Sequence, residues 1–273
     1  MPVTDVTAVL TAMRGRLSRA LIALDFDGTL AQIVTDPAKA RPEPGALQAL
    51  AALARAGAQI AVITGRDANT AIALGGFDAV PGLLVEGLYG AETWQAGQLE
   101  TPTEPAVVGE LRARLPAVVA ACTGDAGVWI EDKRLSLVVH TRQAAQPAAA
   151  IEAVRGPVSY LAAQLGLETH DGRDVLEVRL PGFDKGAVLR RLINRFDPTA
   201  VLFAGDDLGD VPAFATIREV RANGRRAWSI AASGEVPDVR DAADLQVDGP
   251  AGLVALLTSL AEDRGQPSAS SCA

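Results

Sequence analysis

A doubly wound α/β core with a parallel sheet, interrupted by an inserted α+β domain, is the architecture predicted by this sequence of 273 residues. Three observations carry that prediction. Short apolar runs alternate with helical patterns in the first hundred residues, which is the βαβ rhythm of a parallel sheet. The rhythm breaks after Thr101-Pro102-Thr103-Glu104-Pro105, where strands come in neighbouring pairs set between helices, as in a separate α+β unit. It resumes at Lys185 and runs towards the end of the chain.

The elements follow in order. Ala20-Leu21-Ile22-Ala23-Leu24 is an apolar run of strand length. An alanine- and leucine-rich stretch from Glu43 to Ala56 reads as a helix, and Gln59 to Thr64 as the next strand. Gly82 to Glu86 fits a third strand, with a small hairpin over Trp94 to Leu99. The insert then predicts a helix to Cys122, strands at Val128–Glu131 and Leu135–His140, a helix from Pro147 to Leu165 and a strand at Val175–Arg179. The core returns with a helix from Lys185 to Phe196, the strand Ala200–Ala204 and a closing helix from Pro250 to Leu260. The expected boundaries are residues 1–104 and 182–273 for the core and 105–181 for the insert, with 264–273 a disordered tail.

Composition bounds the function. The chain is long enough to bury its own cores without disulfides or a structural metal. Its formal net charge of -8 argues against a nucleic-acid backbone or an anionic membrane as partner. No apolar run approaches the ~20 residues of a spanning helix. Cys122 and Cys272 suggest no disulfide framework, so a cytoplasmic monomer acting on a small molecule is expected.

Chemistry is expected where core strands run out, because a doubly wound sheet places its site at their carboxyl ends. Asp25 and Asp27 follow the first strand, Thr64-Gly65-Arg66 the second, and Gly205-Asp206-Asp207-Leu208-Gly209-Asp210 the strand ending at Ala204; Lys185 opens a helix. Each alone has an ordinary use, as a tight turn, a strand-to-helix turn or a helix cap. Together they bring five carboxylates to one edge, where mutual repulsion demands a cation. Oxygen ligands without histidine or cysteine point to Mg²⁺. Lys185 in a first helical turn opposes the helix dipole, and an anion sharing the site explains it. With Arg66 and the Thr64 hydroxyl it would complete a site for a phosphate ester.

The stretches LDFDGTL, VITGR, FDKG and GDDLGD together resemble the four signature motifs of haloacid dehalogenase-type phosphatases, over Leu21 to Phe214. The resemblance implies a Rossmannoid core with a cap, and phosphoryl transfer through an aspartyl-phosphate. By that likeness Asp25 is the nucleophile. Asp27 protonates the leaving oxygen and later activates water, while its main-chain carbonyl joins Asp25 and Asp206 on Mg²⁺. Thr64 and Lys185 bind the phosphoryl group, and Asp207 and Asp210 support the metal site.

The insert is similar to the cap of trehalose-6-phosphate phosphatases along Gly127–Arg142 and Asp174–Gly182, and Gly87-Leu88-Tyr89-Gly90-Ala91-Glu92 is similar to that family's glycine-rich segment. The likeness implies that Glu131, Lys133 and Glu177, with Arg142, bind sugar hydroxyls. The ordinary alternative, for Glu131, Lys133 and Glu177, is the solvated face of an antiparallel sheet, which alternation alone would produce. His140 is expected to order the cap sheet. Three departures stand out: Tyr89 occupies the family's usual histidine, Gly209-Asp210-Val211 its Thr-Asp-Glu, and Arg179-Leu180 its Arg-Pro. The expected activity is Mg²⁺-dependent hydrolysis of trehalose 6-phosphate. A related disaccharide or pseudo-disaccharide phosphate, a phosphomutase and a non-catalytic sugar-phosphate sensor remain the alternatives.

Overall fold

The computed structural model describes residues 5–101, 103–172, 174–232, 234 and 236–262; the tail expected at 264–273 lies outside them. The described residues of Met1–Glu100 and Asp184–Ala273 form one compact unit, and those of Thr101–Phe183 a second.

The first unit begins with α1 (Val6–Arg14), β1 (Ala20–Leu24), α2 (Ala46–Arg55), β2 (Gln59–Ile63), α3 (Ala68–Gly75), β3 (Leu84–Gly87), β4 (Glu92–Gln95) and β5 (Gln98–Glu100). The chain then enters the second unit as α4 (Ala106–Cys122), β6 (Trp129–Asp132), β7 (Ser136–His140), α5 (Pro147–Gln164), β8 (Glu168–Gly172) and β9 (Val175–Arg179). It returns as α6 (Lys185–Phe196), β10 (Ala200–Gly205), α7 (Val211–Ala222), β11 (Arg226–Ala231), α8 (Pro237–Ala242), β12 (Leu245–Gln246) and α9 (Gly249–Glu262).

Among the described residues the first unit holds an eight-stranded sheet in the order β12-β11-β10-β1-β2-β3-β4-β5. It is parallel from β12 to β3 and antiparallel through β4 and β5. β1 and β10 are buried at every residue because helices cover both faces, which is why both read as unbroken apolar runs. On one face Ile22, Leu24, Val62 and Leu202 pack with Leu50, Leu53 and Leu257; on the other Leu21, Ile63 and Phe203 pack with Leu189, Phe214 and Val239. From β1 the sheet grows one way through β2 and β3 and the other way through β10 and β11. The order therefore reverses between β1 and β10, where a crevice opens at the carboxyl ends.

The second unit is an antiparallel sheet, β6-β7-β9-β8, with α4 and α5 on one face through Leu111, Leu115, Val154, Val158, Leu137, Val139, Leu176 and Val178. On the other face Glu131, Val138, Glu177 and His170 lie in one cross-strand row. The sequence reading missed β8, because Glu168-Thr169-His170-Asp171-Gly172 has no apolar run.

Candidate active site

Each strand around the reversal delivers a polar group one residue past its end: Asp25 after β1, Thr64 after β2 and Asp206 after β10. The ladder continues one step beyond β1, where the Asp25 N–H donates to the Ala204 carbonyl at 2.9 Å. Phe26 then drops into the core against Phe77, with ring centroids 5.4 Å apart, and pins the backbone between the two carboxylates. The turn that follows requires glycine. Gly28 has φ +79°, and a Cβ there would fall 2.0 Å from the Asp206 carboxylate.

Lys185 is the first residue of α6, whose N-terminus is capped by the Asp184 carboxylate accepting from the Ala187 N–H at 2.8 Å. Its ammonium is buried and donates to Asp25 Oδ1 and Asp210 Oδ1, both at 2.7 Å. Burial opposes the charge, but Asp210, Asp25 and Asp207 outweigh it and hold the ammonium well above its ordinary pKa. The other Asp210 oxygen accepts the N–H groups of Asp206 and Asp207 at 2.9 and 3.0 Å. Asp210 thus shapes the loop after β10, while exposed Asp207 lies 4.0 Å from the ammonium.

Asp25, Asp206 and Asp210 offer oxygens within 4.8 Å of one another. Burial first, then neighbouring carboxylates, push Asp25 and Asp206 up to about 7, against Lys185 and, for Asp206, the Thr29 hydrogen bond. Burial likewise raises Asp210 well above its ordinary value, against Lys185. One ammonium among three buried carboxylates leaves an excess of negative charge that a divalent cation would neutralise. The donors are all oxygen, which fits a hard cation such as Mg²⁺. Asp210 is the most heavily engaged of the three, with one oxygen on Lys185 and the other on two main-chain N–H groups.

Asp27 is clasped by Arg66 through two bonds of 2.6 Å, and the guanidinium lies 5.7 Å from the Phe26 ring centroid. Arg66, expected at the anion, therefore faces a carboxylate of the chain itself. Thr64 is buried at the end of β2, and its hydroxyl accepts the Arg66 N–H at 3.2 Å.

Sequence reasoning gave no role to Thr29, whose hydroxyl donates to Asp206 at 3.0 Å and reaches Asp25 at 3.4 Å. Its place in the same turn as both aspartates was the available signal. Also missed was the bracing of the segment after β3. Buried Glu86 accepts from Arg191 at 2.6 Å and from Thr93 at 2.9 Å, and Arg191 also donates to the Gly90 carbonyl. Burial raises Glu86 against these partners. The braced residues Leu88, Tyr89 and Gly90 have φ of +48°, +55° and +87°. A non-glycine residue held there costs of order 1–3 kcal/mol.

The remaining expected residues belong to the second unit. Glu131, in β6, pairs with His140 Nε2 at 2.9 Å, and His140 stacks flat on half-exposed Trp129 at 4.0 Å. Glu177, in β9, accepts from the Ser136 hydroxyl at 2.6 Å and lies 3.9 Å from Arg179. Lys133 sits in the turn between β6 and β7, and Arg142 lies exposed two residues past β7. His140 thus ties β6 to β7, the ordering role expected of it.

The family model described as Trehalose-phosphatase matches residues 23–251. A trehalose-phosphate phosphatase of Mycobacterium marinum is 32% identical over 215 residues, covering 73% of this chain and 52% of that protein. An uncharacterized glycosyl hydrolase of Mycobacterium tuberculosis is 31% identical over 255 residues, covering 90% of this chain and 18% of that protein. The chain thus spans about half the length of the first of these relatives and less of the second. In fold it is similar to an Aspergillus fumigatus trehalose-6-phosphate phosphatase, with a TM-score of 0.73 and 24% identity over 96% of this chain and 98% of that one. No helix among the described residues is long and apolar enough to cross a membrane.

Proposed function

Because the chain belongs to the trehalose-phosphatase family, phosphoric monoester hydrolases of the haloacid dehalogenase superfamily, we propose that it hydrolyses a phosphorylated disaccharide, trehalose 6-phosphate in the first instance, to sugar and phosphate. The observation that carries the reading is the buried lysine held between Asp25 and Asp210, beside Asp206 and past the ends of β1 and β10. A charged group buried this way is kept for chemistry more readily than for stability.

An Asp25 oxygen attacks phosphorus while the bond from phosphorus to the sugar oxygen breaks, giving an aspartyl-phosphate. Asp27 gives its proton to the departing oxygen, then takes one from the water that attacks phosphorus, releasing phosphate and restoring Asp25. Both Asp27 oxygens accept from Arg66 in this structure, so the clasp has to open on at least one oxygen for Asp27 to carry the proton. Lys185 and Thr64 hold the phosphoryl oxygens, and Lys185 lowers the repulsion between carboxylate and phosphate. Asp25, Asp206 and the Asp27 main-chain carbonyl would hold Mg²⁺, which when bound would supply positive charge between the two anions. Asp207 and Asp210 keep the loop after β10 in place. Glu131, Lys133, Glu177 and Arg142 bind the sugar hydroxyls and select the substrate.

The test is phosphate release from trehalose 6-phosphate, glucose 6-phosphate and an aryl phosphate, with Mg²⁺ and with chelator. Equimolar trehalose and phosphate, lost in chelator, are expected. An isomerised sugar phosphate without free phosphate would make the chain a mutase. Binding without turnover would make it a sensor.

A further inference from the structure

The strained segment Leu88-Tyr89-Gly90 carries a tyrosine to the edge of the phosphoryl site, and no step described so far uses it. A left-handed backbone at two successive bulky residues persists only where the surroundings over-determine it, and such strain gathers where a side chain must be aimed. Here the surroundings do so on every side. The Leu88 N–H donates to the Arg66 carbonyl at 2.8 Å and the Tyr89 N–H to the Thr64 carbonyl at 3.0 Å, so the segment is stitched to the loop after β2. Arg191, anchored on buried Glu86, holds the Gly90 carbonyl, and a Cβ at Gly90 would strike Val188 at 2.2 Å.

The phenol this segment presents lies over Gly65, between Thr64 and Arg66. A Cβ at Gly65 would sit 2.7 Å from the Tyr89 hydroxyl and 2.8 Å from its Cζ, closer than any real Cβ comes. The bare glycine is therefore the space in which the ring lies. Tyr89 is half-buried, so its tip is confined without being sealed off.

We infer that Tyr89 is a phosphoryl-binding residue: its hydroxyl donates a hydrogen bond to an oxygen of the bound phosphoryl group beside Thr64 and Lys185, with Gly65 providing the cradle and the Glu86–Arg191 pair the brace. This rests on the phosphatase reading for what the anion is, but the placement of the ring does not. A neutral donor adds no charge to compete with Lys185 for the carboxylates, and its fixed aim suits a small tetrahedral anion. Because the phosphoryl group is common to every ester, the contact serves sugar and aryl substrates alike.

Tyr89→Phe keeps the ring and removes only the donor. With Mg²⁺ present, calorimetric titration with inorganic phosphate is expected to show about 10-fold weaker binding to the variant, and kcat/KM is expected to fall about 10- to 100-fold on trehalose 6-phosphate and on an aryl phosphate alike, the worth of one hydrogen bond to a charged group. Tyr89→His restores a donor and should recover most of both losses; thermal melting of all three proteins reports on folding. The inference is overturned if the parent does not bind phosphate, if Tyr89→Phe matches it in phosphate affinity and kcat/KM, or if only the sugar substrate suffers. Should the parent bind phosphate yet hydrolyse no sugar phosphate, the phosphatase reading fails, and the affinity of Tyr89→Phe still decides the role of the hydroxyl.

Discussion

In the first unit three carboxylates, Asp25, Asp206 and Asp210, are buried around one ammonium, whereas in the sheet of the second unit half-buried Glu131 and buried Glu177 sit among His140, Ser136 and Arg179, which already satisfy them. The first arrangement opposes its own electrostatics, with two aspartates pushed up to about 7. The second could be the polar face of any antiparallel sheet. The difference teaches where chemistry and recognition divide. On the proposed mechanism the buried aspartates act on the bond being broken, while Glu131 and Glu177 exchange their neighbours for a sugar hydroxyl.

Breaking the first arrangement should have the largest effect. Asp25→Asn keeps the size of the side chain and the Lys185–Asp210 contact, so the chain is expected to fold while phosphate release falls to background on every ester. Turnover near the parent rate, with a normal circular dichroism spectrum, would exclude Asp25 as nucleophile. Asp27→Asn leaves the nucleophile but removes the proton carrier, a loss of roughly 10²- to 10⁴-fold. Alkyl esters, with their basic leaving oxygens, should lose more than aryl esters. An equal loss on both would move the proton step to another group.

The second arrangement sharpens the contrast. Glu131→Ala or Glu177→Ala is expected to lower kcat/KM for trehalose 6-phosphate about 10- to 100-fold and to leave an aryl phosphate within a few-fold, because the aryl ester carries no sugar. Equal losses on both substrates would make these residues supports of the sheet. No loss on either would leave them without a part in recognition.

The smallest effect is on stability. Asp25 and Asp206 hold protons up to about pH 7 in the folded chain, against an ordinary value of 3.8. With folded values above unfolded ones, what these groups contribute is complete below about pH 4 and lost as pH rises through 7. A cation competes with those protons. The gain in Tm on replacing chelator with Mg²⁺ should therefore be larger at pH 8 than at pH 6, by a few degrees. An equal or reversed gain would remove the two carboxylates from the metal site.

Much of this was legible in the sequence. Apolar runs fixed at strand length located β1, β2 and β10, and polar residues just past each run located the crevice. The helix expected from Lys185 to Phe196 is α6 as observed, and the structure adds Asp184 as its cap. Other features left no trace in pattern. β8 is polar throughout, β12 has two residues, and neither alternates long enough to be read. The left-handed backbone at Leu88 and Tyr89 is imposed by contacts with Arg66, Thr64 and Arg191, which are distant in sequence. The clasp of Arg66 on Asp27 was hidden for the same reason, since an arginine after a strand suits an anion from either chain or substrate.

The account stands on Asp25 taking the phosphoryl group, and that transfer can be caught. Acid-quenching the enzyme during turnover of trehalose 6-phosphate with Mg²⁺, reducing the acyl-phosphate with borohydride and sequencing the peptides by mass spectrometry should find homoserine at position 25. The mark should be absent without substrate and from Asp25→Asn. Sustained turnover with the mark at another residue, or at none, would contradict the account.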